Sequence, residues 1–141
     1  MPSCTFFGHR DCPVSIKSRL RDVLIDLIEQ KSVDVFYIGN NGSFDRIVTS
    51  TLLELKSTYS HISFFTVLAY LPQNNQEQEQ ITTIFPEGIE NVPKRFAISW
   101  RNRWMIDRSE YVVTYVTHDF GGAAKASEIA LRLKRHIINL K

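Results

Sequence analysis

The sequence predicts an α/β protein: a single Rossmann-like, three-layer domain with a mainly parallel five-stranded sheet and helices on both faces. Five short apolar runs are continuous rather than alternating, which is typical of strands buried on both faces. A helical pattern lies between each pair of successive runs, and this alternation favours a parallel sheet with right-handed crossovers. With 141 residues, one domain spanning positions 1–141 is the expected organisation.

The predicted strands are rich in β-branched and aromatic residues. In chain order they are CTFFG (4–8), VDVFYIG (33–39), ISFFTVLAYL (62–71), YVVTYVT (111–117) and HIINL (136–140). The segment QNNQEQEQ (73–80) is low in complexity and predicts an exposed loop after the third strand.

Four helices are predicted from apolar stripes at helical spacing. Pro13 is placed as a first-turn residue of the first helix. The third pattern, 94–109, is aromatic and basic, and its tryptophans are one helical turn apart. The stripes are Ile16, Leu20, Val23, Leu24, Leu27 and Ile28; Phe44, Ile47, Val48, Leu52 and Leu55; Trp100 and Trp104; and Ala126, Ile129, Ala130 and Leu133.

Ligands of open parallel sheets bind beyond the carboxyl ends of the strands. In this chain that rule selects four loops, GHRDCP, GNNGSFD, YLPQ and THDFGGAAK. In GNNGSFD, the glycines at 39 and 42 allow close approach of a ligand to the backbone, and Ser43 or Asp45 caps the following helix. The unpaired amides of a helix start suit a phosphate. The alternative is an ordinary strand-to-helix turn, since Asn and Gly are turn residues.

The loop THDFGGAAK has the same arrangement. Gly121 and Gly122 open a helix whose first turn is uncrowded, and Lys125 offers a point charge. Glu128 is placed to contact a ribose hydroxyl or to act as general base, or else it is a solvated surface acid. In the first loop, the fork of Arg10 suits an anion, while His9 donates to ligand or water or serves a structural hydrogen bond.

Several classes of function are disfavoured. A net charge of +2 and a pI near 8.6 give little general attraction for nucleic acid. Cys4 and Cys12 give no disulfide framework and no signal peptide precedes them, so a reducing cytoplasmic location is expected. The apolar runs are too short for a membrane helix. The histidines lack metal-ligand spacing, and neither a GxSxG elbow nor a Walker P-loop occurs, so no metal or cofactor is expected.

Five motifs, taken together, resemble the YpsA-like branch of the SLOG superfamily, which groups the SMF/DprA proteins with the LOG proteins. They are FFGHRDCP, FYIGNNGSFD, VLAYLP, PKRFAISWRNRWMIDRSEYVVTYV and GGAAK, and they cover nearly the whole chain. The resemblance implies a Rossmann-like domain that binds nucleotides or NAD-derived signals such as ADP-ribose, and that forms dimers or larger oligomers.

Two parts of the resemblance imply different activities. GGAAKASE is similar to the LOG pattern PGGxGTxxE, whose Glu hydrolyses an N-glycosidic bond of nucleoside monophosphates; Gly121, Gly122 and Glu128 match it. Phe120, Ala124 and Lys125 depart from that pattern, which favours binding over hydrolysis. RNRWMIDRSEYVV is similar to a DprA segment in proteins that serve single-stranded DNA, and the match covers residues 101–103.

The sequence therefore predicts a binder of a small nucleotide-derived anion, acting as a sensor or a sequestering protein. The alternatives are a LOG-like phosphoribohydrolase with Glu128 as catalytic residue, and single-stranded nucleic-acid binding of DprA type, which the charge makes unlikely. Self-association is expected through Trp100 and Trp104. The predicted ligand-binding residues are Gly8, His9, Arg10, Gly39, Asn40, Asn41, Gly42, Ser43, Asp45, Tyr70, Arg95, Arg101, Thr117, Phe120, Gly121, Gly122, Ala123 and Lys125.

Overall fold

The computed structural model describes residues 2–70 and 82–141. Within them the chain builds one sheet whose strands are all parallel, in the order β4-β3-β2-β1-β5-β6. The strands are β1 Ser3–Gly8, β2 Val35–Ile38, β3 Ser63–Val67, β4 Thr82–Ile84, β5 Tyr111–Tyr115 and β6 His136–Asn139. The fold class is confirmed: the sheet is parallel and Rossmann-like.

The prediction of five strands was wrong, because the described sheet has six. The additional strand, β4, is three residues long and lies at the edge, where it pairs only with β3. A three-residue segment is too short to show a periodic pattern, and Pro86 follows it closely. The predicted loop 73–80 lies outside the described residues.

Four α-helices cover the sheet, two on each face. They are α1 Lys17–Gln30, α2 Ser43–Lys56, α3 Ala97–Asp107 and α4 Gly122–Arg132. Short 3-10 turns at Val14–Ile16 and Lys94–Phe96 lead into α1 and α3. Pro13 precedes the first of these turns, so it lies four residues before α1 and not in its first turn.

The two faces of the sheet have separate cores. Apolar side chains of α1 and α2 pack on one face around Phe6, Phe36 and Phe44, which are almost fully buried. The core of the other face brings α3 and α4 together, with Met105 and Ala126 among its members. This three-layer arrangement follows from strands that are apolar on both sides. No helix among the described residues is long and apolar enough to cross a membrane.

Candidate ligand-binding site

The candidate site lies between β1 and β5, where the order of the strands in the sheet changes direction. Successive connections from β1 place β2, β3 and β4 on one side of β1, whereas β5 and β6 lie on its other side. The loops that follow β1 and β5 therefore separate at the carboxyl edge of the sheet, the usual position of a ligand crevice. A cavity of about 420 Å³ opens there, lined by residues from both loops, from the loop after β2 and from α3.

The loop before α2 is packed against the chain itself. Gly42 has φ +95° and ψ −178°, a backbone conformation that only glycine adopts without strain. A Cβ on Gly42 would lie 2.9 Å from Cα of Arg10, so there is no room for a side chain. The Ser43 amide donates to the Arg10 carbonyl at 3.1 Å, and the Ser43 hydroxyl donates to the same oxygen. The Arg10 backbone therefore fills the space in front of Gly42 and satisfies the Ser43 amide.

The loop before α4 has the same geometry but is open. Gly121 has φ +93° and ψ 175°. A Cβ on Gly121 or Gly122 would meet no atom within 4 Å. The first amide of the helix with an acceptor is that of Lys125, which donates to Gly121 at 3.1 Å. Within the described residues, the amides of 122–124 have no hydrogen-bond acceptor, and Gly121, Gly122 and Ala123 all line the cavity.

Arg101 forms the floor of the cavity and is only 3% exposed. Its guanidinium donates to the Val67 carbonyl at 3.0 Å and to the side-chain oxygens of Asn40 and Asn41 at 3.4 and 3.3 Å. Burial lowers the pKa of Arg101, and the nearby Asp45 charge opposes that effect. The guanidinium therefore ties the ends of β2 and β3 together from below the cavity.

Asp45 is the buried carboxyl group of the cavity, with 9% of its surface exposed. Its Oδ2 atom accepts the Asn41 amide at 2.8 Å. Burial raises its pKa to about 6, while the Asn41 hydrogen bond and the Arg101 charge act in the opposite direction. A Cβ on Gly39 would lie 3.0 Å from this Oδ2 and 3.1 Å from the Arg101 guanidinium carbon. A glycine at 39 lets both charged groups approach the strand end.

Three rings stack at one side of the site: His9 and His118 line the cavity, and Phe120 lies next to His118 outside the lining. The rings of His9 and His118 are 3.6 Å apart and nearly parallel, and Phe120 stacks on His118 at 3.8 Å. The Thr117 amide donates to Nε2 of His9 at 2.9 Å. A ring nitrogen that accepts a hydrogen bond carries no proton, so neutral His9 has its proton on Nδ1. Burial and then the His118 charge lower the pKa of His9, whereas Asp11 raises it.

More than half of the predicted site residues line this one cavity. They are Gly8, His9, Arg10, Gly39, Asn41, Asp45, Arg101, Gly121, Gly122 and Ala123. The remaining predicted residues are outside its lining: Asn40, Gly42, Ser43, Tyr70, Arg95, Thr117, Phe120, Lys125 and Glu128. Asn40 and Thr117 support lining residues through hydrogen bonds. Lys125 and Glu128 are exposed on α4.

Sequence reasoning missed three polar lining residues, Asp11, Asn102 and His118. Asn102 accepts the Arg101 Nε–H at 2.9 Å through its side-chain oxygen. His118 lies three residues after the end of β5, in a loop that was already selected, so its position near a strand end was a usable signal. In the part of the chain that the structure describes, no three His, Cys, Asp or Glu side chains are grouped to hold a metal ion.

The two tryptophans that were predicted to form an interface have different surroundings. Trp104 is partly buried, packs edge-to-face on Tyr37 at 5.5 Å and stacks under the Arg108 guanidinium at 3.9 Å. Trp100 is 37% exposed, and a Cβ on Gly88 would lie 3.9 Å from its ring. Trp104 is thus used within the chain, and Trp100 is the more available of the two.

The fold is similar to that of part of DNA processing protein A (DprA) from Streptococcus pneumoniae. The X-ray structure of DprA matches with a TM-score of 0.70 at 15% sequence identity, over 97% of this chain and 49% of the DprA chain. The chain thus spans about half the length of that protein. No protein-family model matches the sequence, and no curated protein matches it.

Proposed function

We propose that this chain is a SLOG domain of the YpsA-like branch that binds a small nucleotide-derived anion, of the NAD or ADP-ribose type, as a sensor or sequestering protein. The DprA-like fold supports the superfamily, and the order of the five sequence motifs supports the branch. A reducing, cytoplasmic setting suits the two buried free thiols of Cys4 and Cys12.

The observation that carries this proposal is the open start of α4. Its first amides have no acceptor among the described residues, and no side chain or other chain segment comes within 4 Å of a Cβ placed on Gly121 or Gly122. Exposed amides and the positive end of the helix dipole together attract phosphate. A phosphate or pyrophosphate at this position gains several hydrogen bonds that the free protein leaves unmade.

The rest of the cavity suits a ligand larger than phosphate. Its volume of about 420 Å³ lies within the range of small-molecule sites. His9 offers a neutral Nδ1–H donor, and Arg10 adds a cation at the rim. Phe120 is 68% exposed and already stacks on His118, so its outer face is available for a nucleobase.

Isothermal titration calorimetry with ADP-ribose, NAD and AMP tests the proposal. Binding of at least one of these ligands is expected, and adenosine, which has the base and ribose but no phosphate, is expected to bind at least tenfold more weakly. The absence of heat with all three nucleotides would refute the proposal. Equal binding of adenosine and AMP would refute the assignment of the α4 start to phosphate.

Hydrolysis of nucleoside monophosphates is not expected. The general base that the LOG pattern implies, Glu128, is exposed on α4 and lies outside the cavity lining. A general base must lie within hydrogen-bond reach of the water it activates. Chromatography of AMP incubated with the protein should show no free adenine, and Glu128→Gln should leave ADP-ribose binding unchanged. Release of adenine by the native protein and not by Glu128→Gln would establish the enzymatic alternative.

Single-stranded nucleic-acid binding is the second candidate, because the fold is shared with a DNA processing protein. Arg101 is buried and Arg103 pairs with Asp107 at 2.9 Å, so neither side chain is free for a backbone phosphate. An exposed group of Lys94, Arg95 and Phe96 is better placed, with Arg95 over the Phe96 ring at 4.8 Å. This function predicts oligonucleotide binding that falls steeply with salt and weakens on Phe96→Ala.

Self-association belongs to the same proposal. Trp100 and Phe96 are exposed on neighbouring turns, and exposed aromatic side chains favour an interface. Size-exclusion chromatography with light scattering should give a dimer or larger species, shifted toward monomer by Trp100→Ala. A monomer at every concentration would refute this part of the proposal.

A further inference from the structure

We propose that Oδ1 of Asp45 accepts the hydroxyl groups of the ligand's ribose and that Asp45 releases a proton to solvent as the ligand binds. This inference rests on the proposed function, because it concerns the same cavity. No bond of the ligand breaks: the neutral carboxyl group loses its proton to water, and the resulting carboxylate accepts O–H donors.

The geometry separates the two oxygens of this carboxyl group. Oδ2 accepts the Asn41 amide at 2.8 Å and is thereby held against the loop. Oδ1 accepts no hydrogen bond from the described residues, yet it is not enclosed: Asp45 is 9% exposed and lines the cavity, and this oxygen keeps contact with solvent. A carboxylate oxygen that solvent reaches can accept a donor supplied by a ligand in place of water.

A ribose fits this oxygen better than a phosphate does. Two adjacent hydroxyls are donors, which a carboxylate accepts, whereas a phosphate is an acceptor and an anion. The open amides of α4 provide the place for the phosphate in the same cavity, on a different wall. The cavity thus has donors on one wall and an unpartnered acceptor on another, the pattern that a ribose phosphate requires.

The protonation state of Asp45 makes its contact with the ligand depend on pH. Burial raises its pKa to about 6 in the free protein. Hydrogen bonds donated to a carboxylate favour the charged form and lower the pKa. Ribose binding therefore displaces a proton wherever the free carboxyl group is protonated, so affinity falls as the pH decreases below about 6.

Other charged groups surround Asp45, and their effects can be separated. Arg101 on α3 is the nearest cation and stays protonated across this range. His9, Arg10 and Asp11 follow β1, and His118 follows β5. Histidines near an anionic ligand bind protons when it arrives, which strengthens binding at low pH. Their contribution therefore has the opposite sign to that of Asp45.

Calorimetric titration with ADP-ribose between pH 5 and pH 8 is the test, because its pyrophosphate diester does not titrate in this range. The native protein should bind about tenfold more weakly at pH 5 than at pH 7.5. Titrations in two buffers of different ionisation enthalpy at pH 5.5 should show proton release. Asp45→Asn should abolish both effects and weaken binding at pH 7.5. Asp22→Asn, which removes an exposed carboxylate of α1 outside the cavity lining, is the matched control and should keep both.

The outcomes distinguish this inference from the function on which it rests. If ADP-ribose binds but its affinity depends on pH in the same way in Asp45→Asn as in the native protein, the inference is wrong and the proposed function stands. If neither ADP-ribose, NAD nor AMP binds at any pH, both are wrong. Should Asp45→Asn fail to fold, the carboxyl ¹³C resonance of Asp45 in the native protein gives the answer. Its pKa should drop when ADP-ribose is added, and an unchanged pKa would overturn the inference.

Discussion

The loops that lead into α2 and α4 start their helices with nearly the same backbone conformation. Gly42 has φ +95° and ψ −178°, and Gly121 has φ +93° and ψ 175°. The difference lies in what faces each glycine: the Arg10 backbone is 2.9 Å from a Cβ position at Gly42, and open space surrounds Gly121. The same local geometry therefore accompanies close chain packing at one helix start and open space at the other.

The largest expected effect distinguishes the two glycines directly. Gly42→Ala should lower the free energy of unfolding by about 3 kcal/mol or more, because backbone strain adds to a clash with Arg10. Gly121→Ala carries the strain alone and should cost about 1 to 2 kcal/mol. Urea denaturation of both variants measures the difference. Equal losses would show that the two loops are equally open.

The second effect concerns Asp45, the point at which the packed α2 loop still borders the cavity. Its pKa is raised from 3.8 to about 6 in the folded protein. The contribution of Asp45 to the free energy of unfolding is therefore fully present below pH 3.8 and is lost as the pH rises through about 6. Asp45→Asn stays neutral, so its stability relative to the native protein should increase by roughly 2 kcal/mol between pH 4 and pH 7.5.

Urea denaturation across that pH range checks this expectation, with Asp11→Asn as the control. A difference between Asp45→Asn and the native protein that does not change with pH would contradict it.

Gly122→Ala should separate binding from stability at the open loop. Gly122 has no positive φ and its Cβ would meet no atom within 4 Å, so the free energy of unfolding should change by less than about 0.5 kcal/mol. The added methyl group stands at the cavity wall, and ADP-ribose should bind at least tenfold more weakly. Calorimetry together with thermal unfolding measures both. Undiminished binding of ADP-ribose would show that its phosphate groups do not bind at the start of α4.

The smallest effect is expected at the packed loop. Ser43→Ala removes hydroxyl hydrogen bonds to the Arg10 and Cys12 carbonyls but keeps the amide bond to Arg10. The loss should be about 1 kcal/mol in the free energy of unfolding, with ADP-ribose affinity unchanged. The same two measurements apply, and a marked loss of affinity with intact stability would assign the ligand to the α2 start.

Much of the fold was predictable because each strand and helix carries its own local pattern. The five longer strands were identified by apolar, β-branched runs, and the helices by their stripes. β4 was not predicted, because a strand of three edge residues is too short to show a periodic pattern. The convergence of the loops after β1, β2 and β5 was also predictable, since carboxyl ends of parallel strands meet at one edge.

The roles of individual side chains were less predictable. Gly42 and Gly121 have similar sequence surroundings, and only the approach of Arg10 distinguishes them. Arg101 was expected to bind a ligand or nucleic acid and does line the cavity, but its hydrogen bond to the Val67 carbonyl, 34 positions away, could not be predicted. His9 and His118 stack across 109 positions. Such long-range contacts leave no trace in local spacing.

The central place of β1 in the sheet has a consequence for biosynthesis. Among the described strands β1 comes first in the chain, yet its two neighbours are β2 and β5. A nascent chain that ends before Tyr111 presents one edge of Ser3–Gly8 without a partner strand, and an exposed edge invites association with other chains. The cavity needs the loops after both β1 and β5. Formation of the cavity therefore requires that β5 has been synthesised and has paired with the exposed edge of β1.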